Sequence, residues 1–181
     1  MMGRPLQAIP ITAAALLVVI LARPNLFSLV LGGILVMVGE AVRIWACGHL
    51  VRNKEVTTSG PYAYVRDPLY LGRFFLLVGF CVMAWGYNWI LLAIGLGVFF
   101  MKYMPRKHRK EMARLRDLFG EEYTRYAAGV RSLIPRLSPY DQARQRAWSF
   151  KLFWDENREQ YLLSGVILLF LLIIGRYLYQ Y

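Results

Sequence analysis

The sequence predicts an all-α fold: a polytopic helical membrane protein, one integral domain over 1–181, with about five transmembrane helices plus a cytosolic amphipathic helix. Three observations predict it. Hydrophobic residues make up 57% of the chain and mean hydropathy is +0.38, whereas an ordinary soluble domain is roughly 45–50% apolar. The apolar residues gather into five runs, at about 6–22, 27–47, 69–86, 88–104 and 160–178. The 22 Lys and Arg, set against 11 Asp and Glu, lie mostly between those runs.

Each run has about 17–21 residues, enough to cross a bilayer core of ~30 Å at 1.5 Å rise per residue with little slack. Arg23-Pro24-Asn25 separates the first two runs and Gly86-Tyr87-Asn88 the third and fourth. Links this short predict two antiparallel hairpins. The 48–66 link carries Arg52, Lys54 and Arg66, and 105–159 carries most of the remaining cations. The positive-inside rule then places both regions and the N-terminus, with Arg4, in the cytoplasm and the C-terminus outside. No cleavable signal peptide is expected, because the first run lacks a small-x-small exit.

After the fourth run, Met112, Leu115, Phe119, Tyr123, Tyr126 and Val130 recur at three- and four-residue spacing, with Arg109, Lys110, Arg114, Arg116 and Glu121 between them. That pattern predicts an amphipathic basic helix over 105–130. It either rests on anionic lipid headgroups or closes as a lid over the polar segment before the third run. Pro135 and Pro139 bracket a break, and 140–159 reads as a polar, basic, surface-lying stretch.

The net charge of +11 is better explained by anionic headgroups and membrane topology than by nucleic acid. Cys47 and Cys81 both lie in apolar runs, and no Cys/His spacing points to zinc or a disulfide framework. Neither a GxGxxG after a strand nor a P-loop is present, so a nucleotide-type cofactor would need a membrane-borne site.

The densest chemistry lies in Ser59-Gly60-Pro61-Tyr62-Ala63-Tyr64-Val65-Arg66-Asp67-Pro68-Leu69-Tyr70-Leu71-Gly72. Gly60-Pro61 makes a turn, and Pro68 suits the first turn of the third helix. The free amides of that helix start favour an anion, and Arg66 adds a permanent charge with a bidentate fork. Tyr62, Tyr64 and Tyr70 offer flat faces and hydroxyls. The segment suits a ligand with a carboxylate at one end and a heterocycle at the other; the plain alternative is an interfacial Tyr/Arg belt.

Charged residues within the runs are costly unless paired or facing a cavity. Glu40 and Arg43 share a helix face, either as a mutual ion pair or as the floor of a polar pocket. Arg73 lies one turn into the third run, placed to snorkel to headgroups or to meet an acidic group. His49 sits at the end of the second run as a possible general base. His108, within Arg106-Lys107-His108-Arg109-Lys110, reads as part of a solvated basic face.

Three blocks, taken in order, carry a resemblance. They are Arg43-Ile44-Trp45-Ala46-x-Gly48-His49, then Thr57-Thr58-Ser59-Gly60-Pro61-Tyr62 through Gly72, then Glu111-x3-Leu115-x3-Phe119-Gly120-Glu121-Glu122-Tyr123-x2-Tyr126. Over roughly 39–136 the chain resembles the isoprenylcysteine carboxyl methyltransferase family in its broad sense, which includes prokaryotic homologues and is similar to phospholipid N-methyltransferases. The last run, 160–178, reads as an addition to that pattern.

The resemblance implies S-adenosylmethionine (SAM) as methyl donor and a lipophilic acceptor entering from the bilayer: an isoprenylcysteine-type carboxylate, a phospholipid amine or a small hydrophobic molecule. It implies that Tyr62, Val65, Arg66, Pro68, Tyr70 and Leu71 wall the cofactor and that Glu111 holds its polar groups. Arg43 or Arg73 would orient an acidic acceptor; His49 or Glu40 would serve as base for an amine. Two positions depart from the family pattern. Asp67 stands where His or Asn is common, and Met112 follows Glu111 where a second Glu is common. Asp67 is expected to accept from ribose hydroxyls or face the sulfonium, offsetting across the pocket the acceptor absent at Met112. A membrane lipid or sterol reductase using NADPH and a non-catalytic lipid-binding homologue are the alternatives from other classes.

Overall fold

The computed structural model describes residues 4–180 and is all-helical, with no strand among them. Helix α1 covers Arg4–Ile20 and α2 Leu26–Cys47. A short 3₁₀ turn at Gly60–Ala63 precedes α3, Pro68–Ala84. Helix α4, Asn88–Val98, passes through a π-helical turn at Phe99–Tyr103 directly into α5, Met104–Gly129. A second π turn, Leu152–Glu156, leads to α6, Gln160–Gln180.

Three of these are long and apolar enough to cross a membrane: Leu26–Cys47, the continuous run Asn88–Gly129, and Gln160–Gln180. The expected five is not reached on this measure. Helix α3 is apolar but has 17 residues, about 26 Å of rise against a core of ~30 Å. It stops at Ala84 because Trp85 and Gly86 both take positive φ, +52° and +59°. Helix α1 also has 17 residues.

Local chemistry sets the start of α2. Asn25 Oδ1 accepts from the Ser28 amide at 2.9 Å, and the Asn25 amide donates back to Ser28 Oγ at 3.0 Å. This reciprocal cap satisfies two otherwise orphaned donors. Ser28 Oγ also reaches the Met83 carbonyl on α3 at 3.3 Å.

The strongest helix pair is α2 with α3, and not the short-linked α1 and α2. Glycines allow it. A β-carbon on Gly39 would lie 2.9 Å from both the Gly72 carbonyl oxygen and Phe75 Cβ, and one on Gly79 would lie 2.8 Å from the Val36 amide nitrogen. Small residues permit the backbone approach by which helices associate in lipid, where hydrophobic burial gives little drive. The contacts run in opposite chain directions, so α2 and α3 are antiparallel. Helix α1 rests instead on α3 and α6, with Val18 and Val19 against a core of Ala22, Val36, Leu76, Phe80, Met83, Ala84 and Ile173.

The α3–α4 hairpin forms as expected. Gly95 faces Leu77, Phe74 meets Phe99 and Phe100, and Tyr70 meets Tyr103 at 5.7 Å between ring centroids. Helix α6 runs back along α2, with Phe170 against Gly33 and Gln180 Nε2 donating to the Ala22 carbonyl at 3.3 Å. One end of the bundle therefore holds the 21–25 and 85–87 turns and the last turn of α6. The other holds the 48–67 segment, α5 and the whole 130–159 stretch.

Gly39→Leu is expected to lower stability by about 1–3 kcal/mol through overpacking. Gly97→Leu, at a site with no atom within 4 Å of the added β-carbon, is expected to leave it unchanged. Thermal unfolding of both variants in detergent checks the contrast.

Candidate functional site

The polar end of the bundle is built by a strap. The Arg66 and Asp67 amides donate to the Arg131 and Ser132 carbonyls at 2.9 and 3.0 Å. Going on along the strap, the Arg136 amide donates to the Tyr64 carbonyl, the Tyr140 amide to that of Ala63, and the Arg144 amide to Thr58 Oγ1 at 3.0 Å. The Ser149 amide reaches the Gly48 carbonyl, Trp148 Nε1 that of Ile44, and Asn157 Nδ2 those of Cys47 and Leu50. Residues 131–157 thus run antiparallel to 44–67 and satisfy its irregular backbone. The stretch expected to lie on the surface does so, and it also supports the polar segment before α3. Glu55 adds ion pairs to Arg144 at 3.0 Å and Arg146 at 2.7 Å, and Arg144 also reaches Glu122 at 2.9 Å.

Helix α5 closes over that segment from the other side. Its apolar residues Met112, Leu115 and Phe119 pack with Tyr123, Tyr126 and Val130 around Val56. Gly120, at φ +53°, kinks the helix so that both halves reach the cluster. Tyr126 Oη donates to the Tyr62 carbonyl at 2.7 Å. This packing is the arrangement that a lid over the segment requires.

Where lid, strap and segment meet, charged groups converge. Arg66 Nη1 donates to the Ala127 carbonyl at 3.0 Å, Nε lies 3.4 Å from Asp67 Oδ2, and Nη2 faces His108 Nε2 at 3.3 Å. Ser132 Oγ donates to Asp67 Oδ2 at 2.5 Å, and His108 Nδ1 is 3.9 Å from the same oxygen. Tyr70 Oη donates to Glu111 Oε2 at 2.9 Å. A cleft of about 300 Å³ opens here, lined by Phe100, Met104, Pro105, His108 and Ser132. Its volume is at the lower end for small-molecule sites. One wall is apolar. The other carries His108 and Ser132, with Asp67 and Arg66 behind them.

The site residues expected from sequence divide into three groups. Arg66 and Asp67 come together behind His108 and Ser132 of the cleft, and Tyr70 and Glu111 bond each other. Tyr62, Val65 and Pro68 are buried in the packing beneath it, and Leu71 is half-buried. Burial pushes the Tyr62 hydroxyl well above the usual tyrosine pKa, and it takes no hydrogen-bond partner among the described residues. The catalytic candidates lie elsewhere. His49 is packed beneath the Gly60 turn, with Nδ1 3.2 Å from Ser59 Oγ. Gly60 has φ +59°, and a β-carbon there would collide with the imidazole. Arg73 bonds the Tyr103 hydroxyl and lies 5.7 Å from the Tyr70 and Tyr103 ring centres.

Arg43 is 2% exposed, and its partner is not Glu40. Glu159, from the approach to α6, accepts from Arg43 Nε at 2.7 Å and pairs with Nη2 at 2.5 Å. Cys47 Sγ donates to the other carboxylate oxygen at 3.3 Å, and Arg43 Nη1 reaches the Leu69 carbonyl at 3.3 Å. Glu40 is 6% exposed, and neither carboxylate oxygen has a hydrogen-bond partner among the described residues. Glu159, Ser132 and His108 are the residues that sequence reasoning missed or set aside. Its place as the last acid before the final apolar run was the only available signal for Glu159.

No family model, curated protein or solved structure matches this chain.

Glu159→Gln leaves the Arg43 charge buried without a counter-ion and is expected to cost about 3–5 kcal/mol; Arg43→Met with Glu159→Leu is expected to recover most of it. A double-mutant cycle on unfolding in detergent measures both.

Burial, and then the positive charge of Arg146, hold the His49 pKa below its ordinary value of 6.5. The unfolded chain therefore binds this proton first. His49's contribution is fully present above about pH 6.5 and declines as pH falls toward the folded value. Unfolding temperature followed from about pH 8 to pH 5 should drop at the acid end, and His49→Gln should flatten the drop.

Proposed function

We propose that the chain is a membrane-embedded, SAM-dependent methyltransferase acting on a lipophilic acceptor, of the isoprenylcysteine carboxyl methyltransferase kind in the broad sense. The observation that carries this reading is the packing of two distant sequence blocks on one another. Tyr70 bonds Glu111, Tyr126 bonds the Tyr62 carbonyl and Arg66 bonds the Ala127 carbonyl. These are the blocks on which the resemblance rests.

The donor chemistry suits the cofactor. Arg66 provides a cationic fork for a carboxylate, while Asp67 and Glu111 accept from hydroxyl or ammonium groups. Phe100, Met104 and Pro105 form an apolar wall for a ring. When bound, SAM supplies an electrophilic methyl group on a positively charged sulfur. The chain's part is to hold and to exclude. Fixing two reactants in line is worth ~7–11 kcal/mol of barrier, and a wall that excludes water favours a step in which charge is lost. A carboxylate or thiolate acceptor needs no base. On this reading the basic end of the bundle faces the cytosol.

A second reading, an NADPH-dependent reductase of membrane lipids or sterols, is favoured by one observation. Lys102, Arg106 and Lys110 line a second cleft beside the first helix turn of α5, where they would suit an additional phosphate.

Thermal unfolding of the purified protein with SAM, its demethylated product or NADPH separates the two. SAM at a hundredfold excess over its dissociation constant should stabilise the fold by ~2.7 kcal/mol. Arg66→Ala should abolish that shift, and Glu111→Ala, a change at an exposed position, should weaken it. Asp67→Asn should also weaken it if Asp67 replaces the acceptor absent at 112. A shift with NADPH and none with SAM overturns the methyltransferase reading, and tighter SAM binding by Asp67→Asn overturns the role given to Asp67.

A further inference from the structure

The second cleft has a feature that a site for a soluble ligand does not need. It measures about 370 Å³ and is lined by Val98, Lys102, Tyr103, Arg106 and Lys110. Lys102 is the first charge after the apolar run of α4, so the cleft lies where apolar helix gives way to basic helix. The three cations are exposed, and among the described residues none takes part in an ion pair. Glu111, the nearest acid in sequence, is turned to Tyr70. Apolar side chains lie exposed next to the cations: Val98 at 49%, Phe100 at 47% and Met101 at 80%.

We propose that this cleft binds the phosphate headgroup of an anionic bilayer lipid, with Lys102, Arg106 and Lys110 around the phosphate and the acyl chains descending over Val98 and the exposed Met101. Three unpaired cations facing one cleft attract phosphate, and basic groups at the membrane surface each add to the binding of anionic lipid. The apolar neighbours select an amphiphile over a free anion. The membrane interface at this end of the molecule is marked independently. Trp148, Phe150 and Trp154 are exposed there, and Phe150 stacks on Trp154 at 5.5 Å, as aromatic residues do at headgroup level. Tyr103 lines the cleft and also receives the Arg73 hydrogen bond, placing the lipid one side chain from the Tyr70–Glu111 pair. The proposal does not depend on methyl transfer.

The test uses the full chain purified in a neutral detergent. Unfolding temperature is followed against added phosphatidylglycerol, phosphatidylcholine, glycerol phosphate and inorganic phosphate. Phosphatidylglycerol is expected to stabilise and the other three to have little effect. Lys102→Gln, Arg106→Gln and Lys110→Gln together are expected to weaken the phosphatidylglycerol response on the order of tenfold or more. The control, Arg116→Gln with Arg125→Gln and Lys151→Gln, removes as much charge from exposed positions elsewhere and should change the response less than about twofold. If the triple variant does not fold, Arg106→Gln alone carries the test, with a several-fold weakening expected. Equal loss in the control would show diffuse attraction only. An equal response to phosphatidylcholine, or to glycerol phosphate or inorganic phosphate, would overturn the lipid-headgroup assignment. None of these measurements includes SAM, so they stand or fall apart from the methyltransferase reading.

Discussion

A guanidinium buried in a helix long and apolar enough to cross a membrane must have partners, and much of the molecule is arranged around meeting that demand for Arg43. The Arg43 side chain passes over Gly72, where any β-carbon would strike it, and reaches both Glu159 and the Leu69 carbonyl. One side chain on α2 thereby ties down the start of α3 and the approach to α6. Desolvating the pair is costly, so the arrangement is weak evidence for stability as such. What it does is specify position: Glu159 has one place to go, and the chain leading to it must follow.

The consequence runs toward the cleft. With Glu159 held beside Arg43 and Cys47, residues 144–157 lie along the end of α2, where Asn157, Ser149 and Trp148 bond its last carbonyls and the loop beyond. Residues 131–140 continue along the 63–67 backbone. Unregular backbone near the membrane is tolerated only where its polar groups find partners, and the strap supplies them. Ser132, delivered by the strap, lines the cleft and holds Asp67 behind it. The Arg43–Glu159 pair and the Asp67 carboxylate are remote in sequence but are joined by one strap, hydrogen-bonded at intervals along its length.

This dependence explains which parts were legible in the sequence. The helices announce themselves as apolar runs. The buried face of α5 announces itself in the spacing of Met112, Leu115, Phe119, Tyr123 and Tyr126, and the structure packs those residues together around Val56. The strap does not announce itself, because its work is done by amides and carbonyls that every residue carries. Glu159 was hidden for a related reason: Glu40 lies at ideal helical spacing from Arg43, and nothing local shows that Arg43 takes a partner 116 residues away. Helix length was misjudged where a non-glycine residue, Trp85, takes positive φ, a conformation that composition does not flag.

The departures at Asp67 and Met112 also look different once placed. Met112 packs, half-buried, against the Val56–Tyr123–Tyr126–Val130 cluster, where a carboxylate would give up part of its hydration among apolar and aromatic groups. Asp67 stands on the cleft side, with Ser132, Arg66 and His108 around it and about one-sixth of its side chain still exposed (16%). The two positions therefore have different surroundings: 112 lies on the apolar face of α5, and 67 lies beside Ser132, Arg66 and His108, where a carboxylate finds partners.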